Sequence, residues 1–273
     1  MKKRSKLPLL AASTVMILAL VGCSDAVTAN VERVETSLIG PESAPGGKNV
    51  QEKIFQADAF DRIDVRSEAM EVYVEQSPDD QATARLITDK AIDNPFVFDA
   101  SVENGVLRLS VDERTKINIL DRVQNGERKL ILSLPQKHYE EVAIRNEFGR
   151  VDMADLAADR VVVEQSAGDI RLSGVSGELE LETETGKIEA EGVTLDHDIF
   201  ARTSVGDIEV RFSAPPEAGS IRARTTLGDV RVDVNGLRYS ENSGNSITGR
   251  FATEGRVMEA VSEVGSIRVG VLP

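Results

Sequence analysis

Residues 199–210, IFARTSVGDIEV, hold the pattern that decides the fold. Ile199, Ala201, Ile208 and Val210 are apolar, and most residues between them are polar or charged. Such period-two alternation marks strands with one buried face, whereas a helix would need apolar spacing near 3.6. Gly206 falls between the two halves, and glycine suits a corner because it reaches positive φ without steric cost. The same arrangement recurs as VAIRNEFGRVDM (142–153), VVVEQSAGDIRL (161–172), LELETETGKIEA (179–190), IRARTTLGDVRV (221–232) and MEAVSEVGSIRV (258–269). The corner glycines are Gly149, Gly168, Gly186, Gly206, Gly228 and Gly265, in steps of 19, 18, 20, 22 and 37 residues.

Every residue seven and five positions before these glycines, and two and four after them, is apolar. Two architectures satisfy this. Consecutive strands can pair as hairpins of an antiparallel sandwich, with Gly-Asp in the turns. Alternatively each repeat is one coil of a solenoid, with like positions stacked about 4.8 Å apart. Equivalent residues at a near-constant step favour stacking. The expected fold is therefore all-β, a β-solenoid or β-roll of about six coils of 18–22 residues.

Upstream, alternation begins at Phe60. RIDVRS (62–67) and MEVYVEQ (70–76) read as a degenerate coil, with Met70 where later coils have glycine. Strands are also expected at 82–88, 96–102, 106–111 and 129–134, with Asn104-Gly105 as a hairpin turn and 115–127 as a loop. Residues 51–135 thus form a β-rich N-terminal cap, and residues 136–273 the regular coils. Caps are needed because an open terminal coil invites edge-to-edge pairing. The 37-residue step contains NGLRYSENSGNSITG (235–249), which lacks the apolar columns and reads as a protruding loop or hairpin before the last coil. Tyr239 and Asn242 are its candidate interaction residues, since loops on a regular scaffold commonly carry binding groups.

The chain carries a net charge of −14, no tryptophan and only 4% aromatic residues. Such acidity argues against nucleic acid as a partner and against docking of the domain on an anionic membrane. Lys2-Lys3-Arg4 precedes an apolar run from Leu7 to Val21, a signal-peptide pattern too short for a stable span. The run ends in Leu20-Val21-Gly22-Cys23, which resembles the lipobox of bacterial lipoproteins. That resemblance implies cleavage after residue 22 and a diacylglyceryl group on Cys23, so the chain is tied to membrane lipid; two acyl chains suffice for stable anchoring. Removing Lys2, Lys3, Arg4 and Lys6 takes the charge from −14 to −18. Residues 23–50, with Gly40-Pro41 and Pro45-Gly46-Gly47, read as a flexible tether.

No catalytic constellation stands out. The residue after each glycine gives a column of Arg150, Asp169, Lys187, Asp207, Asp229 and Ser266. Stacked Asp207 and Asp229 would repel or share a cation, and Lys187 between Asp169 and Asp207 would make a charge ladder; ordinary turn chemistry accounts for all of them. His138 and His197 are the only histidines and lie in no zinc or hydrolase motif. Neither a metal nor another cofactor is expected. A carbohydrate-active β-helix enzyme would want aromatic platforms, and the chain has three tyrosines.

The strand ending in Leu-Pro, LILSLPQKHYEEVAI (130–144), followed by Ser/Thr-x-Gly-Asp-Ile coils, resembles the bacterial "putative adhesin" domain, a family of unknown function. The resemblance covers about residues 54–271 and implies a β-solenoid in secreted or membrane-tethered envelope proteins. It carries over no functional residues; the six glycines match structural turns, and Arg150 and Lys187 depart from Gly-Asp. The expectation is a lipid-anchored extracytoplasmic module with an adhesion-like or scaffolding role, an unidentified envelope protein or polymer as partner, and no catalysis. An accessory of envelope-stress signalling contacting a membrane sensor is the alternative, and a carbohydrate-active enzyme the remoter one.

Overall fold

The computed structural model describes residues 47–89, 96–113 and 126–273. The expected signal peptide, Cys23, the tether through residue 46 and most of the 115–127 loop lie outside the described residues. Among the described residues there is no α-helix, and so no helix long and apolar enough to cross a membrane.

The N-terminal part holds β1 (Lys48–Gln56), β2 (Arg62–Ala69), β3 (Glu71–Gln76), β4 (Gln81–Asp89), β5 (Phe96–Glu103), β6 (Val106–Glu113) and β7 (Arg128–Leu134). Each of the next four coils is a strand pair, β8 (His138–Phe148) with β9 (Val151–Ala154), β10 (Ala157–Ala167) with β11 (Ile170–Ser173), β12 (Ser176–Thr185) with β13 (Ile188–Val193), and β14 (Ile199–Val205) with β15 (Ile208–Phe212). The coil of β16 (Ala218–Leu227) and β17 (Val230–Val232) follows, then a hairpin of β18 (Arg238–Asn242) and β19 (Ser246–Arg250). The last coil is β20 (Thr253–Val264) with β21 (Ile267–Val271).

The two strands of a coil enter different sheets. One sheet runs β1-β4-β7-β3-β9-β11-β13-β15-β21-β17 and the other β18-β19-β16-β20-β14-β12-β10-β8-β2-β6-β5. Coil stacks on coil through parallel ladders in register, Ile188 on Ile208 in one sheet and Leu179 on Ile199 in the other. This is the stacked architecture, not the sandwich of hairpins. Of the apolar columns read from the repeats, every residue is buried except Val232, which is partly so. The core lies between the two sheets, at roughly 1.5–3 kcal/mol for each large side chain before chain entropy offsets most of it.

The vertical order departs from chain order at both ends. The coil β2–β3 sits between the later β6 and β7 strands on one side and β8–β9 on the other. Likewise β20–β21, last in sequence, sits between β14–β15 and β16–β17. The corners therefore stack as Gly206, Gly265, Gly228, which separates Asp207 from Asp229 by a whole coil. No adjacent aspartate pair exists there for a shared cation.

Two strands showed no apolar alternation in the sequence. β1 pairs antiparallel with β4, yet only its Phe55 is buried while Val50 and Ile54 face out, so no alternation showed. β18 is exposed along its whole length. The 235–249 segment is the hairpin of the two expected forms, but it does not protrude: β19 adds antiparallel to β16 and extends that sheet by two strands.

Candidate functional site

The corner of the coils concentrates the groups that could act, in three layers. On the inside, three positions before each glycine, stand Asn146, Gln165, Thr183, Thr203, Ser262 and Thr225, all buried. Buried hydroxyls need partners, and these donate to the glycine carbonyl of the neighbouring coil. Thr183 Oγ1 reaches Gly168 O at 3.2 Å, Thr203 Oγ1 reaches Gly186 O at 3.2 Å, Ser262 Oγ reaches Gly206 O at 2.9 Å and Thr225 Oγ1 reaches Gly265 O at 2.9 Å. Asn146 Nδ2 donates to Met70 O at 3.0 Å and its Oδ1 accepts from Ser67 Oγ at 2.8 Å. Gln165 breaks this ladder, because neither of its amide atoms has a protein partner.

The corner itself has no room for a side chain. At Gly206 φ is +155°, and a Cβ would lie 1.9 Å from Gly186 O. The column starts at Met70, whose carbonyl faces Gly149 and which has no positive φ of its own. This explains how methionine can occupy a glycine position: the requirement applies to the residue that stacks upon a corner carbonyl.

Outside, the aspartates after the glycines accept from the next coil's backbone, Asp169 Oδ1 from Lys187 N at 3.0 Å and Asp207 Oδ1 from Ser266 N at 2.7 Å. The expected ladder through the Lys187 ammonium does not form. That ammonium pairs with Glu189 and, at 3.1 Å, with Glu209. Arg211 joins Glu209 and, at 3.1 Å, Glu191; Arg171 joins Glu189 at 2.8 Å, and Arg150 joins Asp152 at 2.8 Å. This sheet face is thus a network of alternating charge. Burial pulls the Lys187 pKa down, but the Glu189 and Glu209 carboxylates outweigh it and hold it above the ordinary lysine value. Burial raises the Glu209 carboxyl, and Lys187 with Arg211 outweighs that and holds it below the ordinary range. For Asp152 burial prevails over Arg150 and Arg171, and its pKa is raised.

Of the sequence-predicted residues, the six glycines sit at six corners, Cys23 lies outside the described residues, and Tyr239 and Asn242 lie on β18. Tyr239 is half exposed and its hydroxyl donates to Val232 O at 3.0 Å, which ties the hairpin to the outermost coil; Asn242 pairs with Ile247. His138 Nε2 meets Asp159 Oδ1 at 2.7 Å on the surface, and His197 is exposed in the turn before β14. Among the described residues no group of three or more His, Cys, Asp or Glu side chains is placed to hold a metal ion. A groove of about 500 Å³ is open and charged, lined by Arg66, Glu68, Arg145, Glu147, Glu164 and Glu184 among others. Sequence reasoning missed the residues just before the glycines, of which Phe148, Val205, Leu227 and Val264 are exposed apolar side chains. Their signal was present, since that position carries no charge in any of the six repeats.

Among solved structures, the chain is similar in fold to a "putative cell adhesion protein" from Clostridium sporogenes, with 11% identity over 82% of this chain and 100% of that one, at a TM-score of 0.49. It is also similar to a "putative adhesin" from Bacteroides fragilis, with 15% identity over 82% and 97% and a TM-score of 0.40. A "putative lipid binding protein" from Parabacteroides distasonis matches with 13% identity over 82% and 97%, at a TM-score of 0.27. No curated protein matches the chain. A family model matches twice in overlapping stretches, residues 60–197 and 160–270, which together run from just before β2 to β21; the chain belongs to the Toastrack DUF4097 family.

Proposed function

We propose that this chain is a lipid-anchored, extracytoplasmic surface module that binds an envelope partner and performs no catalysis. The observation that carries the reading is the N-terminal sequence, a cationic start, an apolar run and Leu20-Val21-Gly22-Cys23, ahead of a tether that ends before β1, since residues 48–50 pair with β4 and do not belong to it. The coil architecture supports it. Corner hydroxyls and aspartates are tied to backbone, and the charges on one sheet face pair with one another. What remains for function is the outer surface: two sheet faces, the corners and the β18–β19 hairpin with Tyr239 and Asn242.

The test is metabolic labelling with a fatty-acid probe, comparing the native chain with Cys23→Ala. Label on the native chain alone is the expected result. Label on neither removes the anchor. A screen on peptidoglycan and polysaccharides is expected to show no turnover, and turnover would replace the binding role with an enzymatic one.

A further inference from the structure

We infer that the strip of residues immediately before the corner glycines is a docking site for a basic amphipathic helix of a partner protein; the inference rests on the reading of the chain as a binding module. In spatial order the strip runs Phe148, Ala167, Thr185, Val205, Val264 and Leu227, in register from coil to coil. It holds no charge. Phe148, Val205, Val264 and Leu227 are 46%, 49%, 43% and 67% exposed. Single exposed aliphatics are ordinary on any surface, but a contiguous line is not. Val205, Val264 and Leu227 stand on three successive coils and are contiguous.

Charge identifies the occupant. The column one position further back contains Glu68, Glu147, Glu184 and Glu263, interrupted by Ser166, Ser204 and Thr226, with no basic residue. None of these four carboxylates has an ion pair or side-chain hydrogen bond. Across the strip, the basic residues Arg150 and Lys187 are already paired with Asp152 and with Glu189 and Glu209. Arg202 and Arg224 stand further out, so the unpaired carboxylates border the strip directly and the guanidinium groups form an outer rim. A second copy would bring carboxylates against carboxylates, and an anionic membrane would be repelled in the same way. A segment with an apolar stripe bordered by Lys or Arg satisfies both parts.

Its shape follows from spacing. Five steps at about 4.8 Å make a strip of about 24 Å, which a helix of about 16 residues spans. The helical pitch of about 5.4 Å places roughly one apolar turn on each coil, with anchors at i, i+3, i+4 and i+7.

The test uses a labelled Leu/Lys peptide of about 18 residues with all leucines on one face, and a scrambled peptide of the same composition lacking that face. Binding to the full chain is followed by fluorescence anisotropy. The amphipathic peptide is expected to bind about tenfold tighter than the scrambled one, and about tenfold weaker to Val264→Ser/Leu227→Ser. Glu147→Gln/Glu184→Gln/Glu263→Gln should weaken it similarly, whereas Glu178→Gln, away from the strip, should not. All these side chains are at the surface, and unchanged melting temperatures check that the variants fold. Equal binding of both peptides, or native affinity in the Val264/Leu227 variant, overturns the inference. Photo-cross-linking in cells separates the two readings. Capture of an envelope partner through a sheet face, undiminished in the strip variants, leaves the binding module standing and removes the docking strip. Failure of lipid labelling and of capture at every surface removes both.

Discussion

The two ends of the coil stack share one plan and differ in material. At each end the terminal coil of the chain is tucked one layer in, β2–β3 beneath β6 and β7, and β20–β21 beneath β16–β17. The N-terminal end is then closed by the antiparallel pairs β1–β4 and β5–β6, with Phe55, Phe96, Phe98 and Leu86 buried inside. The C-terminal end is closed by a three-residue β17 and the β18–β19 hairpin, with Val234, Leu237, Ile247 and Phe251 beneath them. Aromatic side chains thus carry the thicker closure, and aliphatic ones with a single Phe the thinner. Closure is what a stack requires, since an uncovered coil leaves both apolar columns and backbone groups open. Non-repeating sequence supplies the whole N-terminal closure and, through the β18–β19 hairpin, all of the C-terminal one except β17, which belongs to a regular repeat.

The largest expected effect tests the tucking. Ile63 and Ile267 belong to the first and last coils in sequence, yet both are buried with a coil on either side. Ile63→Asp and Ile267→Asp should each cost about 4 kcal/mol or more, because an unpaired charge enters the interior column. Val232→Asp, in the outermost coil and only partly buried, should cost about 1–2 kcal/mol. Denaturant unfolding reads all three. A mild Ile267→Asp would mean that chain order, not the interleaved order, sets the stack.

The corner column comes next. Gly265→Ala should cost about 3 kcal/mol by thermal unfolding, since φ is +148° and the Cβ would lie 1.9 Å from Gly206 O. Met70→Gly should also destabilise, for the opposite reason that it removes a buried side chain. If Gly265→Ala melts like the native chain, the close stacking of corners is wrong.

Smaller effects compare the two halves of the buried polar ladder. Thr225→Val, at the C-terminal end, removes the bond to Gly265 O and should cost about 1 kcal/mol. Gln165→Thr, nearer the N-terminal end, should gain up to about 1 kcal/mol by replacing an amide without partners with a hydroxyl aimed at the corner carbonyl. Loss of stability in Gln165→Thr would show that the amide fills space the ladder needs.

The smallest effect is on pH dependence. The Glu209 pKa is lowered in the folded state, so its contribution is present above the unfolded carboxylate value and is lost as pH falls through the folded one. Glu209→Gln should therefore be less stable than the native chain at neutral pH, and the two stability curves should converge in acid. Parallel curves from neutral pH down through the carboxylate range would remove Glu209 from the charge network.

The cross-section of each coil was legible because it depends on local alternation and on one glycine. Ile208 and Val210 inside and Gly206 at the corner follow from the twelve-residue pattern, whereas the bond from Thr203 to the neighbouring corner carbonyl did not. The cap strands were legible only where they bury a face: β4 alternates and was expected, whereas β1 buries almost nothing and gave no signal, and β18, exposed throughout, was legible only as one arm of a loop or hairpin. The side-chain partner of Lys187 was misread for a related reason. Spacing places Asp169 and Asp207 beside it, but both aspartates accept from backbone N–H groups, and its ammonium reaches Glu189 and Glu209.

Sequence alone determined that the chain is all-β, where each coil turns and which side chains point inward, and it favoured stacked coils over a sandwich of hairpins. Tertiary structure alone decided the order of the coils. All six repeats present the same apolar columns in the same register, so any coil can stack on any other, and local patterning cannot rank the pairings. The long connections at the two ends permit an inserted coil, and burial of the terminal coils on both sides favours it. From that order follows the separation of Asp207 from Asp229 by a whole coil.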